Sequence, residues 1–360
     1  MTLPRPAESV LRRVLTGSAD LFRGDDYPSQ LAEAAAGAQL PVTTGRRIAV
    51  VGSRGGAGRT TMAALLASVY AAMRADAVAA VDNAPESGTL GHRLGVADAP
   101  SLETAAALLA AEPPASLQEL ARLLAVAGPA NLLVTGRRSP HIRAGAGRSP
   151  AGTMPAGTEA PAWTPAGPPA PDRAGGWEGG GAEGRAWEGG GAEGRSSEGH
   201  GLEGHGVASP AALLSRTVSR YCPITVFDCG PGLSAPAARW ALENSHLALF
   251  VTPASAAGIA DAVDHAGAWQ LDPLLGSLPL LVLVVQGTQD GVFTASREAA
   301  GLRRAGIDAA HVGYDRHLAA GAAVNPALLA RRTRLEAVSL ASRVLTRAIA
   351  GPRTARRTPS

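Results

Sequence analysis

The sequence predicts an α/β protein with a doubly wound, mostly parallel sheet. Three observations support this fold class. Short apolar runs recur with the length of buried strands, helix-forming segments separate them, and glycine-rich or acidic turns follow two of the runs. Because open α/β sheets carry their functional groups at the carboxyl ends of the strands, we expect these two turns to lie at one edge of the sheet.

The first strand is predicted at Ile48–Val51, and a glycine-rich turn joins it to a helix over Met62–Met73. Glycine gives such a turn backbone conformations closed to other residues, so that several N–H groups converge on one anion at the start of a helix. The turn matches a phosphate-binding P-loop. Arg59 stands at the position of the usual lysine, Ser53 replaces the first glycine, and Thr60 supplies the hydroxyl that binds Mg²⁺.

We expect the phosphates of a nucleotide to contact this loop and the first turn of its helix. The residues expected there are Gly55, Gly56, Ala57, Gly58, Arg59, Thr60 and Thr61. An ordinary strand-to-helix connection is the alternative in a chain with 44 glycines. A second site argues against it, because the apolar run Ile224–Asp228 ends in a carboxylate, as in a Walker B strand. Thr60 and Asp228 are therefore predicted to hold a magnesium ion.

Three segments resemble the MinD/ParA family of P-loop ATPases. Arg54–Thr60 resembles the deviant Walker A motif K-G-G-x-G-K-[ST], and Val81–Pro85 aligns with the D-x-D-P element of the family. Tyr314–Gly321 resembles a late segment of actinobacterial members, some of which are associated with type VII secretion. The resemblance covers about residues 46–140 and 210–350. It implies a P-loop NTPase fold, ATP and Mg²⁺ as cofactors, and a homodimer formed around ATP.

The chain departs from the family at its two signature lysines. Arg54 corresponds to the lysine that reaches the phosphates of the partner subunit, so the resemblance implies a catalytic role for Arg54 across the dimer. Arg59 corresponds to the P-loop lysine. All 33 basic residues of the chain are arginine, so two origins of these exchanges are open: the overall composition, or selection for a new role. Arginine pairs with phosphate through a planar fork and is not a conservative replacement in a tight loop.

A further departure concerns hydrolysis. The second aspartate of D-x-D-P positions or activates the attacking water in the family, and its counterpart here is Ala84. Asp82 remains at the first position, where two roles are open: a catalytic carboxylate near the metal ion, or a cap on the following turn. Groups that position water contribute about 10²–10⁴ in rate. We therefore expect nucleotide binding with slow or lost hydrolysis.

The composition divides the chain into five parts. An amino-terminal extension, with an amphipathic helix predicted at Glu8–Leu15, is followed by the first part of the NTPase domain, a low-complexity insertion, the second part of the domain and a basic tail. Their bounds are 1–45, 46–143, 144–209, 210–350 and 351–360. The insertion is rich in glycine and holds a ten-residue repeat starting at Trp177 and Trp187, so we expect it to be disordered. Two interpretations of these tryptophans are open: they dock onto a partner, or they are present only because the low-complexity repeat was duplicated.

Alternating strands and helices are predicted after the Walker B strand. The expected elements are a helix at Ala235–Asn244, a strand at His246–Val251, a helix at Ala256–Trp269, a strand at Leu280–Val285, and helices at Ala295–Ala305 and Ala327–Ile349. In the family an asparagine near the adenine often follows the last long strand. Gln286 stands there in this chain. Adenine specificity is thus implied by the resemblance alone.

Apolar stretches, cysteines and net charge limit where the protein can be located and which partners it can have. No apolar stretch is long and charge-free enough to span a bilayer, and Cys222 and Cys229 are interpreted as buried thiols, which favours a cytoplasmic protein. The net charge of +3 permits contact with nucleic acid. The arginine clusters of the chain are short, however, and do not favour nucleic-acid binding. We expect an ATP-dependent switch for positioning or secretion machinery. The alternatives are a pseudo-ATPase scaffold and a DNA-partitioning ATPase.

Overall fold

The computed structural model describes residues 26–84, 88–128, 131–136, 209–289 and 291–351, all within one structural unit. The described strands are β1 (Arg46–Val51), β2 (Val78–Asp82), β3 (Ala125–Ala127), β4 (Leu132–Val134), β5 (Ile224–Asp228), β6 (Leu247–Pro253), β7 (Leu280–Val285) and β8 (Ala309–Val312). The described helices are α1 (Tyr27–Ala38), α2 (Arg59–Met73), α3 (Leu90–Arg93), α4 (Leu102–Ala111), α5 (Leu117–Leu123), α6 (Pro210–Tyr221), α7 (Pro236–Glu243), α8 (Ala256–Leu271), α9 (Ala295–Arg304), α10 (Arg316–Ala319) and α11 (Arg331–Ala350).

The strands form a single sheet in the order β3-β4-β2-β5-β1-β6-β7-β8. All neighbouring strands run parallel except β3, which pairs antiparallel with β4 at one edge. The order reverses around β1, which lies between β5 and β6, and such a switch point opens a crevice at the carboxyl edge of the sheet. The doubly wound, mostly parallel α/β fold predicted from the sequence is confirmed.

Apolar side chains bury both faces of the sheet, so it has two hydrophobic cores. Helices α2 and α11 contribute most of the helical side of one core. Tyr70 of α2 is fully buried there and donates its hydroxyl to the backbone carbonyl of Ala341 at 2.7 Å. The other core includes Phe227, which meets the ring of Trp240 edge to face at 5.9 Å.

Helix α1 lies in the amino-terminal extension and packs against the last helix, α11. The guanidinium of Arg331 stacks over the Tyr27 ring at 4.0 Å, and Gly37 leaves no room for a side chain beside Ser342. No helix was predicted over Tyr27–Ala38. The described part of the extension is therefore packed on the domain.

The last helix begins later than predicted. The prediction placed a helix over Ala327–Ile349, but Pro326–Leu328 forms a single 3₁₀ turn and α11 begins at Arg331. The Asn325 side chain caps that turn by accepting a hydrogen bond from Ala327, and the chain is extended before α11 because Asp315 holds the Ala330 amide at 3.0 Å. Long-range capping by Asp315 therefore separates the two helical segments.

Several predictions fall outside the described residues. They concern the helix at Glu8–Leu15, the insertion up to residue 208, and the tail from residue 352. Within the described ranges, every helix is too short or too polar to cross a bilayer. Cys222 and Cys229 are buried and free, as predicted.

Candidate functional site

The P-loop connects β1 to α2 at the carboxyl edge of the sheet. Its backbone needs glycine at two positions, Gly56 with φ +77° and Gly58 with φ +88°, which lie in the left-handed region. Gly52 is fixed by space instead, since a Cβ atom there would lie 2.6 Å from the Val251 carbonyl oxygen. The sequence therefore allows the chain to turn sharply from strand to helix at this point.

The outer part of this loop is open to solvent. Gly55 and Gly56 are exposed, and a Cβ atom at either position would have no neighbouring atom within 4 Å. Their amides donate no hydrogen bond to another described residue. Open amides in front of the first turn of a helix form a site suited to an anion.

Asp228 lies at the end of β5, directly beside the strand that leads into the P-loop. Its register partner is Val50 of β1, and only 1% of the residue is exposed. Neither carboxylate oxygen has a hydrogen-bond partner in the described part of the chain. A buried carboxylate without partners is costly unless a cation or a proton satisfies it.

Burial raises the pKa of Asp228, and three neighbours counteract the shift. In order of effect they are the Thr60 hydroxyl, the Arg59 charge and the Gly230 amide. The hydroxyl and the amide approach the carboxylate without completing a hydrogen bond of ordinary geometry. A hydroxyl beside an unsatisfied carboxylate is an oxygen donor set that fits Mg²⁺. Thr60 and Asp228, predicted as metal ligands, are thus neighbours.

Arg59 is buried and folds back into its own loop. Its Nη1 donates to the carbonyl oxygen of Arg54 and to that of Gly52, the latter at 3.3 Å, while its Nε has no partner in the part of the chain that the structure describes. Burial lowers the pKa of Arg59, and the nearby Asp228 carboxylate opposes this. The guanidinium therefore lies within the loop and close to the Walker B carboxylate.

Arg54 points away from the loop, and its side chain is 59% exposed. Its Nε lies 3.8 Å from a carboxylate oxygen of Asp261 on α8, and the Ser53 hydroxyl donates to the same oxygen. His265, one turn further along α8, lies 3.5 Å from the other oxygen of Asp261. The sequence analysis did not identify Asp261, because no local pattern links α8 to the P-loop.

Asp82 caps the turn that follows β2. Its carboxylate accepts hydrogen bonds from the amides of Ala84 and Leu90, each at 3.2 Å, and Gly88 leaves no space for a side chain beside it. Its own amide donates to the Thr135 hydroxyl at 3.0 Å. The sequence left two roles open for Asp82, a catalytic carboxylate or a cap on the following turn, and these hydrogen bonds are those of a cap.

Ala84 packs against the turn after the Walker B strand. A Cβ atom on Gly230, which has φ +66°, would lie 3.0 Å from the Cβ of Ala84. Ala84 also lines a cavity of about 360 Å³ whose walls include Trp240, Gly136 and Ser209. The position of the missing aspartate therefore borders open space beside the Asp228 turn.

Comparison with known proteins gives a fold and one short sequence match. No family model matches the chain. A stretch of 49 residues is 51% identical to the ESX-1 secretion-associated protein EspI of Mycobacterium tuberculosis, in both the H37Rv and the CDC 1551 strains. The match covers 14% of this chain and 7% of that protein.

Two solved structures are similar over most of the chain. A ParA family ATPase from Chlorobium tepidum has a TM-score of 0.50 at 12% identity, over 85% of this chain and 98% of that one. The cell division ATPase MinD of Pyrococcus furiosus has a TM-score of 0.48 at 16% identity, over 82% and 97%. The former likeness shows the fold: the chain shares the α/β fold of that ParA family ATPase, as its motifs predicted.

Proposed function

We propose that this chain is an ATP-binding protein of the MinD/ParA type that works as a dimeric switch, with slow or lost hydrolysis. The observation that carries the proposal is the Asp228 carboxylate, which is buried beside Thr60 and Arg59 without a hydrogen-bond partner among the described residues. Exposed loop amides lie at the same edge of the sheet. A buried carboxylate is costly unless a cation or a proton satisfies it, and this cost supports a bound cation with its anion at the site.

Each predicted site residue has a role in this proposal. The amides of Gly55, Gly56, Ala57 and Gly58, with Arg59 and Thr61, hold the phosphates, whereas Thr60 and Asp228 hold the metal. When bound, Mg²⁺ neutralises the charge that develops on the phosphates. Arg59 must exchange its backbone carbonyls for phosphate oxygens, which are stronger acceptors because they are charged.

In a homodimer formed around ATP, Arg54 would contact a phosphate bound by the partner subunit. The side chain is largely exposed, and its single ionic contact with a described residue, Asp261, is a long one of 3.8 Å in a solvated position. Such a pair contributes little to stability, so the guanidinium is free to exchange it for a phosphate of the partner subunit. We propose that Arg54 acts catalytically in this way, as the resemblance implies.

Slow or lost hydrolysis follows from the turn after β2. Ala84 carries no group that could orient water, and the Asp82 carboxylate already accepts two backbone amides. We keep Asp82 as the candidate catalytic carboxylate for any residual activity. A pseudo-ATPase scaffold, which binds nucleotide without turnover, is the second candidate, and it rests on Ala84.

We propose secretion machinery as the setting of this protein. The short match to a secretion-associated protein supports secretion machinery as the setting, and positioning machinery is the alternative drawn from the family. We propose a cytoplasmic location. DNA partitioning, with nucleic acid as the partner, is not favoured because the arginine clusters are short.

Calorimetric titration of the full chain with Mg-ATP, and with ATP in the presence of EDTA, tests the core of this proposal. We expect saturable binding that weakens at least about tenfold without Mg²⁺ and in Asp228→Asn, because each change removes the pairing of metal and carboxylate. Light scattering should show a dimer only with Mg-ATP. Absence of binding in the wild-type chain would refute the nucleotide site, and a monomer with bound ATP would refute the switch.

A further inference from the structure

A cavity of about 360 Å³ lies where the first turns of three helices, α4, α6 and α7, come together. Its size is that of a site for a small molecule. Apolar side chains form most of its wall, among them Leu102, Pro236 and Trp240. The Trp240 ring is fixed by its edge-to-face contact with Phe227, at 5.9 Å between ring centroids. The cavity therefore offers a firm apolar surface to a ligand.

Asn83 contributes a buried acceptor to this cavity. The residue lines the cavity, and only 3% of it is exposed. Its Nδ2 donates to the carbonyl oxygen of Ala237 at 2.7 Å, which orients the side chain. The Oδ1 atom accepts no hydrogen bond from the residues that the structure describes. A buried amide oxygen without a donor is costly, so Asn83 fits a ligand that brings an N–H or O–H group.

Glu103 adds a carboxylate to the same wall. It lies in the first turn of α4, is exposed, and forms no ion pair with a described residue. No arginine or histidine is found among the described residues that line the cavity. The carboxylate of Glu103 and the amide oxygen of Asn83 both accept hydrogen bonds, and an ammonium group supplies three donors and no acceptor. The two acceptors together thus suit a ligand with an ammonium group.

The helix ends supply the opposite kind of group. Ala211 of α6 and Ala237 of α7 each follow a proline at the start of the helix, where an amide has no acceptor within the helix. Neither amide donates to another described residue, since the Ser209 hydroxyl caps Ala212 and α7 has no side-chain cap. Open amides at helix amino ends favour an anion such as a carboxylate.

We propose that this cavity binds a free α-amino acid with a large apolar side chain. Its carboxylate accepts from the amides of Ala211 and Ala237, and its ammonium group donates to Asn83 and Glu103. Its side chain packs on the Trp240 ring. An organic acid would leave the two acceptors without donors, and an amine would leave the helix amides without an acceptor. A zwitterion with an apolar side chain is the ligand that satisfies all three parts of the wall.

Calorimetric titration of the full chain with phenylalanine, leucine and tryptophan, without nucleotide, tests this proposal. We expect saturable binding of at least one of the three. For the amino acid that binds best, the N-acetyl derivative lacks the ammonium group and the carboxamide derivative lacks the carboxylate. Each should bind at least about tenfold more weakly, because each leaves polar groups of the wall unpaired. Glycine, which has no side chain to pack, should bind about as weakly.

Glu103→Gln identifies the group that holds the ammonium. This variant should weaken binding of the free amino acid about tenfold and leave binding of its N-acetyl derivative unchanged, because the derivative carries no ammonium charge. Glu112→Gln, at an exposed glutamate after the other end of α4, is the matched control and should change neither affinity.

Three results would overturn the proposal. They are no binding of any of the three amino acids, equal affinity for the free amino acid and its N-acetyl derivative, and an equal effect of Glu103→Gln on both ligands. The second would indicate a site for organic acids at the helix ends instead. Because these titrations contain no nucleotide, their outcome is independent of the proposed nucleotide site.

Discussion

Arg59 donates a hydrogen bond from Nη1 to the backbone carbonyl of Arg54, so the cation at the P-loop lysine position is turned into its own loop. The same nitrogen reaches the Gly52 carbonyl at 3.3 Å. These contacts hold the turn between β1 and α2 while the guanidinium lies near Asp228. Arg59 therefore supports the loop in which it is proposed to act as a phosphate ligand.

The first prediction is that Arg59→Ala or Thr60→Ala weakens Mg-ATP binding at least about tenfold. Each change deletes a direct phosphate or metal contact worth roughly 1.5–3 kcal/mol. Calorimetric titration measures the effect, and circular dichroism checks that each variant is folded. Thr104→Ala, at the amino end of α4, is a control that should bind normally. Equal affinity in the wild type and both variants would place the site elsewhere.

The second prediction is that the stability of the fold depends on pH through His246, which directly precedes β6. The Nδ1 atom of His246 accepts the Arg47 amide at 3.1 Å, and burial, aided by the charges of Arg47 and Arg46, lowers the pKa of His246 to about 4. The unfolded chain takes up a proton near pH 6.5, which the folded chain resists. Stability contributed by neutral His246 is therefore present above pH 6.5 and is lost as the pH falls towards about 4.

Urea denaturation at pH 7.0, 5.5 and 4.5 measures this loss. His246→Gln should be less stable than the wild type at neutral pH and should show a shallower decline towards acid, because it removes the titrating ring. His92→Gln, at an exposed histidine, should keep the wild-type slope. Parallel curves for the wild type and His246→Gln would show that another group governs the acid sensitivity.

The sequence predicted β1, β5, β6 and β7 because their apolar runs are local patterns, whereas β8 was not predicted. β5 and β7 have the predicted bounds, Ile224–Asp228 and Leu280–Val285, and their apolar runs are the buried strands of a parallel sheet. The pairing of Thr60 with Asp228 was predictable because each belongs to a recognisable motif, and both motifs lie at the carboxyl edge of a parallel sheet. Their proximity follows from the pairing of β1 with β5.

What the sequence missed depends on tertiary contacts. Asp261 accepts a hydrogen bond from Ser53, which lies 208 positions away in the sequence, and no periodicity or motif predicts such a pair. The delayed start of α11 arises from Asp315, which accepts hydrogen bonds from its own helix and from Ala330. Neither contact alters the local helix propensity on which the prediction relied.

The third prediction is that residues 146–206 are dispensable for folding. Their composition offers little apolar area to offset the entropy of ordering. Gly136 and Ser209, the described residues that flank this part of the chain, line one cavity, so a shortened connection has a small gap to bridge. The deletion variant should melt within a few degrees of the full chain in scanning calorimetry. A much lower melting temperature would contradict the prediction, as would protection of these amides from hydrogen exchange.

The fourth prediction is that Ala84→Asp speeds hydrolysis. Wild-type turnover should be very slow because Ala84 lacks the carboxylate that orients water. Ala84 adjoins Gly230 in the turn after Asp228 and borders a cavity of about 360 Å³, so an aspartate side chain has room beside the metal carboxylate. Single-turnover hydrolysis of ATP should rise by one or more orders of magnitude, within the range of about 10²–10⁴ that such groups supply. Ala84→Asn, of the same size without the charge, should give a much smaller gain.

Two second-site variants identify the origin of that gain. It should vanish with Asp228→Ala, which removes the metal carboxylate, and shrink with Arg54→Ala if that arginine stabilises the phosphates of the partner subunit. Brisk hydrolysis by the wild type would reject the pseudo-ATPase alternative and identify Asp82 as the working carboxylate, released from its turn. If Ala84→Asp binds ATP but gains no rate, then Arg54 and Arg59 hold the phosphates out of line. Restoring one carboxylate cannot restore the reaction in that case, because in-line geometry precedes any contribution from a water-positioning group.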